Sequence, residues 1–432
     1  GGLALQQLQL DDGEQQLEGR GELLFSPLSW DLAVAGTLDT GLLHPQFPGQ
    51  LNVQDNSRGS YDDKQWSLSP SRLQLQGRVR QQPLTATTRL ESRQQRLQLD
   101  SEVRWGDNRL SGRGTILPDW SLGTTLALKQ LDQLYPDLRG QLSGQLQIRG
   151  PLASPNLTGN LNSQQLGWQD WSLASLRARF RALGLGEQSM SLELDSETLR
   201  QGNTEQLAAA HISANGTLTS HTATARFQRD EVSLETNLQG SLNVPNALQT
   251  TAQWQGTVSD TRLTHQQLGR WQQAADTAVQ LSSSAQSLAP FCLGQRQSRL
   301  CLEGKHDTDN RIEASASLSA LPLALAGALL GPDFTVQGSL DGQATVQGPL
   351  DNPDGQYQLQ TRDAHIAVRN PDTPQELAIE QLSVQGTLHN RRLASELKLS
   401  SDLASANAKV EHGLEADSPL AGQVALQISS LA

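Results

Sequence analysis

The feature that most constrains this chain is a hydrophobic period of two. In Gly140–Arg149, Leu142, Gly144, Leu146 and Ile148 alternate with Gln141, Ser143, Gln145 and Gln147. The same parity runs from Phe334 through Val336, Gly338, Leu340, Gly342 and Ala344 to Val346. It returns at Leu73, Leu75, Gly77 and Val79, then at Val232, Leu234, Leu238, Gly240, Leu242 and Val244. A last instance is Leu420, Gly422, Val424, Leu426 and Ile428. Successive strand side chains point to opposite faces, so each segment has one apolar and one polar face. These are half-buried strands rather than the continuous apolar runs of a sheet covered on both sides. Turn signals at Asp11-Asp12-Gly13, Gly106-Asp107-Asn108, Asp307–Asn310 and His389-Asn390-Arg391 predict hairpins between them. The parity switch from Leu377 and Ile379 to Leu382 and Val384 predicts a β-bulge.

Composition narrows the outcome. Only 36% of the 432 residues are apolar and 4% aromatic, with one methionine, which is thin for closed cores. Yet 18% charged is low for a disordered chain. The net charge of −12 and the lack of any Lys/Arg cluster argue against nucleic acid. The longest apolar run, Ala320–Leu330, contains Pro322 and Gly327 and falls well short of the ~20 residues of a spanning helix. Leu128, Leu131 and Leu134, and Leu318, Leu321, Leu325 and Leu329, lie at helical spacing and predict two short helices. Gln427–Leu431 resembles the start of a third.

Each helical stretch precedes a long alternating segment, and those segments match each other. Gly140–Pro155 and Gly338–Pro353 share the form G-x-L-x-G-x-[LA]-x-[IV]-x-G-P-L-x-x-P. A repeat this long argues for an array extended along one axis. We divide the chain into residues 1–127, 128–317 and 318–432, the last two each starting at a short helix. At about 12 residues per strand and turn, the chain holds on the order of 30 strands. Open sheets of that size curl. The expected fold is all-β: an elongated curled sheet, or β-taco, with a hydrophobic groove and a few short helices. The chain begins at Gly1 rather than methionine, and we read it as an internal piece of a longer polypeptide.

A search for chemistry returns little. The eight histidines are scattered, and no metalloprotease, nucleophile-elbow, P-loop or dinucleotide motif is present. We therefore expect no enzyme, no cofactor and no metal. Asp307–Asn310 lacks the glycine and distal glutamate of a calcium loop and reads as a solvated turn. Trp168 and Trp171 read as strand residues flanking Gln169-Asp170, with a ligand platform as the alternative. Cys292 and Cys301 flank a turn-like Gly-Gln-Arg-Gln-Ser centre. Oxidised, they would close a hairpin and stabilise it by about 2–3 kcal/mol. Two buried free thiols is the other reading, and a zinc site with His306 would still need a fourth ligand. An exclusive cysteine pair at hairpin spacing favours an oxidising compartment.

Several of these segments, taken in order, resemble one known family. They are Gly150–Gly159 followed by Leu166-x-Trp168, Val258–Arg262 through Trp271, Pro290-Phe-Cys292, Leu300-Cys301, Leu318–Leu330 and Leu388–Leu393. Together they resemble the TamB family over the whole chain, cysteine pair included. The resemblance implies an inner-membrane helix outside this chain, a long periplasmic β-structure with a hydrophobic groove, and a C-terminal region meeting an outer-membrane TamA-like barrel. AsmA-like relatives are regarded as phospholipid bridges between membranes, and the family is also tied to autotransporter assembly. The expected function is a periplasmic segment of a phospholipid conduit, with phospholipid acyl chains as the ligand. The lining would be Leu73, Leu75, Val79, Leu142, Leu146, Ile148, Val232, Leu234, Leu238, Leu242, Phe334, Val336, Leu340, Val346, Val424 and Leu426. For each of these, ordinary strand core is the alternative. Two other functions stay open: a scaffold that assembles outer-membrane proteins by β-augmentation, and a passive spacer.

Overall fold

The computed structural model describes residues 1–11, 16–62, 65–184, 189–243, 252–266, 268–325, 334–368, 375–414, 418 and 420–428. The chain is all-β, as the alternation predicts, with 29 strands among the described residues. Two compact units form. One comprises Gly1–Leu218 with Phe227–Asp230, the other Thr219–Arg226 with Glu231–Ala432. Within the first, successive strands from Gly2–Asp11 to Thr204–Gly216 pair antiparallel as a meander, short strand Gln65–Leu68 lying to one side. Within the second, the same holds from Val232–Asn243 to Ala421–Ile428.

The period of two becomes a burial pattern. In the strand Leu138–Pro151, half-buried and exposed residues alternate at every position, and Ser71–Val79 behaves alike. Buried hydrophobics are few and dispersed among the described residues: Leu51, Val53, Val79, Leu131, Phe180, Trp271, Leu293, Val336 and Ile379 are the larger ones.

Tight turns join the strands, several without the expected residues. Gly106-Asp107 links Trp105 to Asn108, and Asn390-Arg391 links His389 to Arg392. Arg80-Gln81 and Gln94-Gln95 do the same job, all four residues having positive φ between 49° and 64°. Each pair is a turn of the primed kind, whose twist matches the strands it joins. Neighbours hold them: Arg80 Nη1 donates to Gln133 O at 3.4 Å, and Gln95 bonds both backbone groups of Trp66. The turn Asp12-Gly13 lies outside the described residues.

The sequence repeat is also a backbone repeat. Gly140 and Gly338 have φ of 101° and 109°, and each sits at a register shift, between Arg139 and Gln141 and between Gln337 and Ser339. A Cβ on Gly140 would fall 2.6 Å from the Gln165 carbonyl carbon, and one on Gly338 would fall 2.6 Å from Asp363 O. The opposing residues, Gln165 and Asp363, are themselves left-handed. Both strands end in the same turn, Ser154 N donating to Pro151 O and Asn352 N to Pro349 O at 3.1 Å.

The two expected helices are a correction. Leu128 ends a strand and only Leu131–Gln133 forms a single 3-10 turn, Leu131 being buried. Leu318 and Leu321 belong to the strand Arg311–Pro322, followed by the 3-10 turn Leu323–Leu325. Leu318 opposes Gly342 and Leu321 opposes Leu340, so Ser319 and Ala320 of one strand face the single residue Asp341 of the other. That bulge, with Ala320 left-handed at φ 50°, imitates helical spacing. Leu329 lies outside the described residues. Gln427 and Ile428 close a strand, and the rest of that expected helix lies outside them too. The parity switch at Leu377–Leu382 is a bulge as predicted, with the register shift between Ile379 and Gln381.

One strand position is broken. Gly269–Gln273 and Thr277–Ser282 both pair with Gln253–His265. At the break Gln273 Oε1 accepts from Thr261 N at 3.0 Å, and its Nε2 donates to Val258 O and Ala275 O at 2.8 Å. Next to it Cys292 and Cys301 oppose each other across a hairpin and form a disulfide.

Candidate functional site: an apolar ladder face

Strand pairing turns the alternation of single segments into rows that cross strands. In the first unit, directly opposed residues run Val53, Leu75, Ala86, Val103, Leu110, Leu126. The row continues through Gly144, Leu161, Ala178, Leu194 and Ile212. It extends the other way through Gly36 to Leu17. No polar side chain interrupts it. One residue along each strand, the opposite face reads Gln54, Gln74, Thr87, Glu102, Ser111, Thr125 and Gln145.

The second unit has the same construction. Leu293, Leu300, Leu318, Gly342 and Leu359 oppose one another in turn. Val384, Leu397, Ala408 and Val424 complete that row. Most members of both rows are half-buried, so their neighbours in the sheet cover their sides and leave their tips open.

The predicted lining divides three ways. Leu73, Leu75, Leu142, Leu146, Ile148, Val232, Leu234, Leu238, Leu242, Leu340 and Val346 are half-buried on the apolar faces of their strands, although Leu73 stands between Asp55 and Thr88, Leu142 opposite Ser163, Leu146 opposite Thr124, Val232 opposite His265 and Leu340 opposite Thr361. Val79 and Val336 are buried, 3% and 9% exposed, and are strand-end packing rather than open wall. The Val79 carbonyl accepts from Trp105 Nε1 at 3.1 Å, and Val336 pairs with Ile366 two residues before the Gly338 bulge. Val424 and Leu426 sit on the apolar rows by register, opposite Ala408 and Ala406, but are 74% and 65% exposed. The side chain of Phe334 lies outside the described residues.

Sequence reasoning missed Asp55, which the register sets between Val34 and Leu73 on the apolar face. Burial there pushes its carboxyl above the ordinary aspartate range. The polar face holds cross-strand ion pairs such as Arg58–Asp31, Arg113–Asp100 at 2.5 Å and Lys305–Glu313 at 2.6 Å. The hydrogen bond and charge of Glu313 raise the Lys305 ammonium pKa. Adjoining hollows of about 860 and 600 Å³ in the second unit also belong to this face. Gln280, Ser287, Lys305, Gln347, Gln358 and Glu396 are among their walls. They are trenches between rows of long polar side chains.

The remaining expected sites resolve simply. Trp168 and Trp171 oppose each other across the Gln169-Asp170 turn, 56% and 37% exposed. His306 bonds Gln286 Oε1 and Asn310 Oδ1, and the disulfide leaves neither cysteine as a thiolate. No helix among the described residues is long and apolar enough to cross a membrane.

Comparison with known proteins gives one family. The family described as "TamB, N-terminal domain" matches residues 1–432. A curated relative, the translocation and assembly module subunit TamB of Haemophilus influenzae (strain ATCC 51907 / DSM 11121 / KW20 / Rd), is 22% identical over 346 residues. That match covers 78% of this chain and 26% of the relative, so the chain spans about a quarter of the relative's length.

Proposed function

Because the chain belongs to the TamB N-terminal-domain family, we propose that it is a periplasmic segment of a conduit carrying phospholipids between the inner and outer membranes. The observation that carries this reading is the uninterrupted apolar row from Leu17 to Ile212, backed on the other face by polar side chains. A phospholipid leaving a bilayer exposes acyl chains to water at a cost of ~0.8 kcal/mol per CH₂. A row of leucines, valines and alanines one strand spacing apart, ~4.8 Å, offers an acyl chain the same apolar surface at every step. It has no single well in which the chain would be held. The headgroup stays in water, so no specific recognition site is needed. The disulfide fits an oxidising compartment such as the periplasm.

A second reading comes from the relative's name, which is that of a translocation and assembly module subunit. On that reading the chain offers backbone to unfolded outer-membrane proteins by β-augmentation. One experiment separates the two. Photoreactive residues replace Leu146 and Leu397 on the apolar faces, and Ser67 on the short strand Gln65–Leu68, in the protein in cells. Phospholipid attached at Leu146 and Leu397 is the expected result. Polypeptide captured at Ser67, with no lipid on the apolar faces, would sink the conduit and favour assembly.

A further inference from the structure

Three of the large aromatic side chains on the apolar faces are folded flat over a glycine. Trp30 opposes Gly59, whose Cβ, if present, would fall 2.6 Å from the indole Cη2. Trp254 covers Gly256 and Gly240, where added Cβ atoms would fall 2.7 and 2.6 Å from its Cζ2. Tyr357 opposes Gly386, where a Cβ would fall 2.8 Å from its Cζ. In every case the polar tip of the ring is tied down. Trp30 Nε1 donates to Ser57 Oγ at 3.0 Å, Trp254 Nε1 to His221 Nε2 at 2.8 Å, and Tyr357 OH to Ser395 Oγ at 2.8 Å. Gly59 and Gly386 are buried although both lie in half-buried strands, so the rings are their cover.

We propose that Gly59, Gly256 with Gly240, and Gly386 are positioning residues that hold these rings flat and keep the apolar face clear for an extended acyl chain. The proposal rests on the conduit reading. Packed β-layers are separated by ~10 Å, a gap that a standing indole or phenol fills for the most part and a flat one does not. A flat ring is also apolar floor, so lipid meets a surface and not a post. The glycine supplies the slot, and the hydrogen bond at the tip selects the flat rotamer over the standing one.

The test uses the full protein with a photoreactive residue replacing Leu359, two residues from Tyr357 on the same face, and vesicles of phosphatidylethanolamine and phosphatidylglycerol as the lipid source. Gly386→Val should lose lipid capture while keeping its resistance to protease. Adding Tyr357→Ala to Gly386→Val should restore capture. Capture by Gly386→Val equal to the parent, or no restoration in the double variant, overturns the proposal. If Gly386→Val does not fold, Ser395→Ala decides. It frees only the tyrosine hydroxyl, so reduced capture supports the slot and unchanged capture overturns it. A parent that captures no lipid at Leu359 overturns the conduit reading itself, which distinguishes the two failures.

Discussion

Asp55 and Gly140 are single residues whose cost or necessity follows from where the register puts them. The Asp55 carboxyl has its pKa raised by burial above the ordinary value of 3.8, so the folded state holds its proton more tightly than the unfolded chain does. Its favourable contribution is complete below the unfolded pKa and is lost as pH rises through the folded one. At neutral pH the ionised carboxylate is a liability. Asp55→Asn should therefore raise the urea midpoint at pH 7 and leave it unchanged at about pH 2, well below the unfolded pKa, where both states bind the proton. An equal shift at both pH values would remove burial as the cause. Gly140 is needed because its φ of 101° and the nearby Gln165 carbonyl leave no room for a Cβ. Gly140→Ala should cost roughly 2–3 kcal/mol. Gly123 sits in open extended backbone, with Arg113 O 3.8 Å from where its Cβ would be, so Gly123→Ala should stabilise by about 0.5 kcal/mol. Urea titration of the two variants side by side checks the contrast. Asp55 was not legible as an apolar-face residue, because Asn52-Val53-Gln54-Asp55-Asn56 supplies too few apolar positions to fix a parity.

Strands were legible wherever parity held for several residues, as in Leu138–Pro151 and Ser71–Val79, because period two has no helical counterpart at that length. Parity fails at bulges. An extra residue converts a spacing of two into three, so Leu318 and Leu321 imitated a helix while facing the same side of a strand. Turns built from Arg80-Gln81 and Gln94-Gln95 were invisible for a different reason. Their left-handed backbones are imposed by the strands on either side and by bonds to Gln133 and Trp66, not by the residues' own preference. The pairing of Cys292 with Cys301 was open in the sequence and required the hairpin register. The broken strand at Ala274–Asp276 was missed because its repair is made by one side chain. Gln273 serves Thr261 N, Val258 O and Ala275 O, and its loss would take that partner from the part-buried Thr261 N and Val258 O. Gln273→Ala should cost about 1–3 kcal/mol. Hydrogen exchange should rise most at Val258–Thr261 and in the adjoining Gly269–Gln273 strand. Unchanged protection there would mean that the break is held by its neighbours instead.

At the scale of the whole chain, what matters is that apolar rows recur in both units while apolar composition stays at 36%. Spread over strands of which one face is polar, that fraction suffices for a continuous apolar face in each unit but not for thick closed cores. A path that lipid must traverse fails at any one block. Binding patches that act independently fail only where they are hit. This difference gives a test that no local measurement provides. Leu146→Asp places a charge on the first unit's apolar face, and Leu397→Asp does so on the second unit's. Both positions are half-buried, so the carboxylate can reach water and the strand should survive, unlike a charge at buried Val336. With the conduit acting in series, each single variant should abolish lipid supply in a strain that relies on this protein, and the double variant should be no worse. Partial losses that add would mean independent patches. Full supply in the double variant, with the protein folded and present at normal levels, would mean that acyl chains do not travel on these faces.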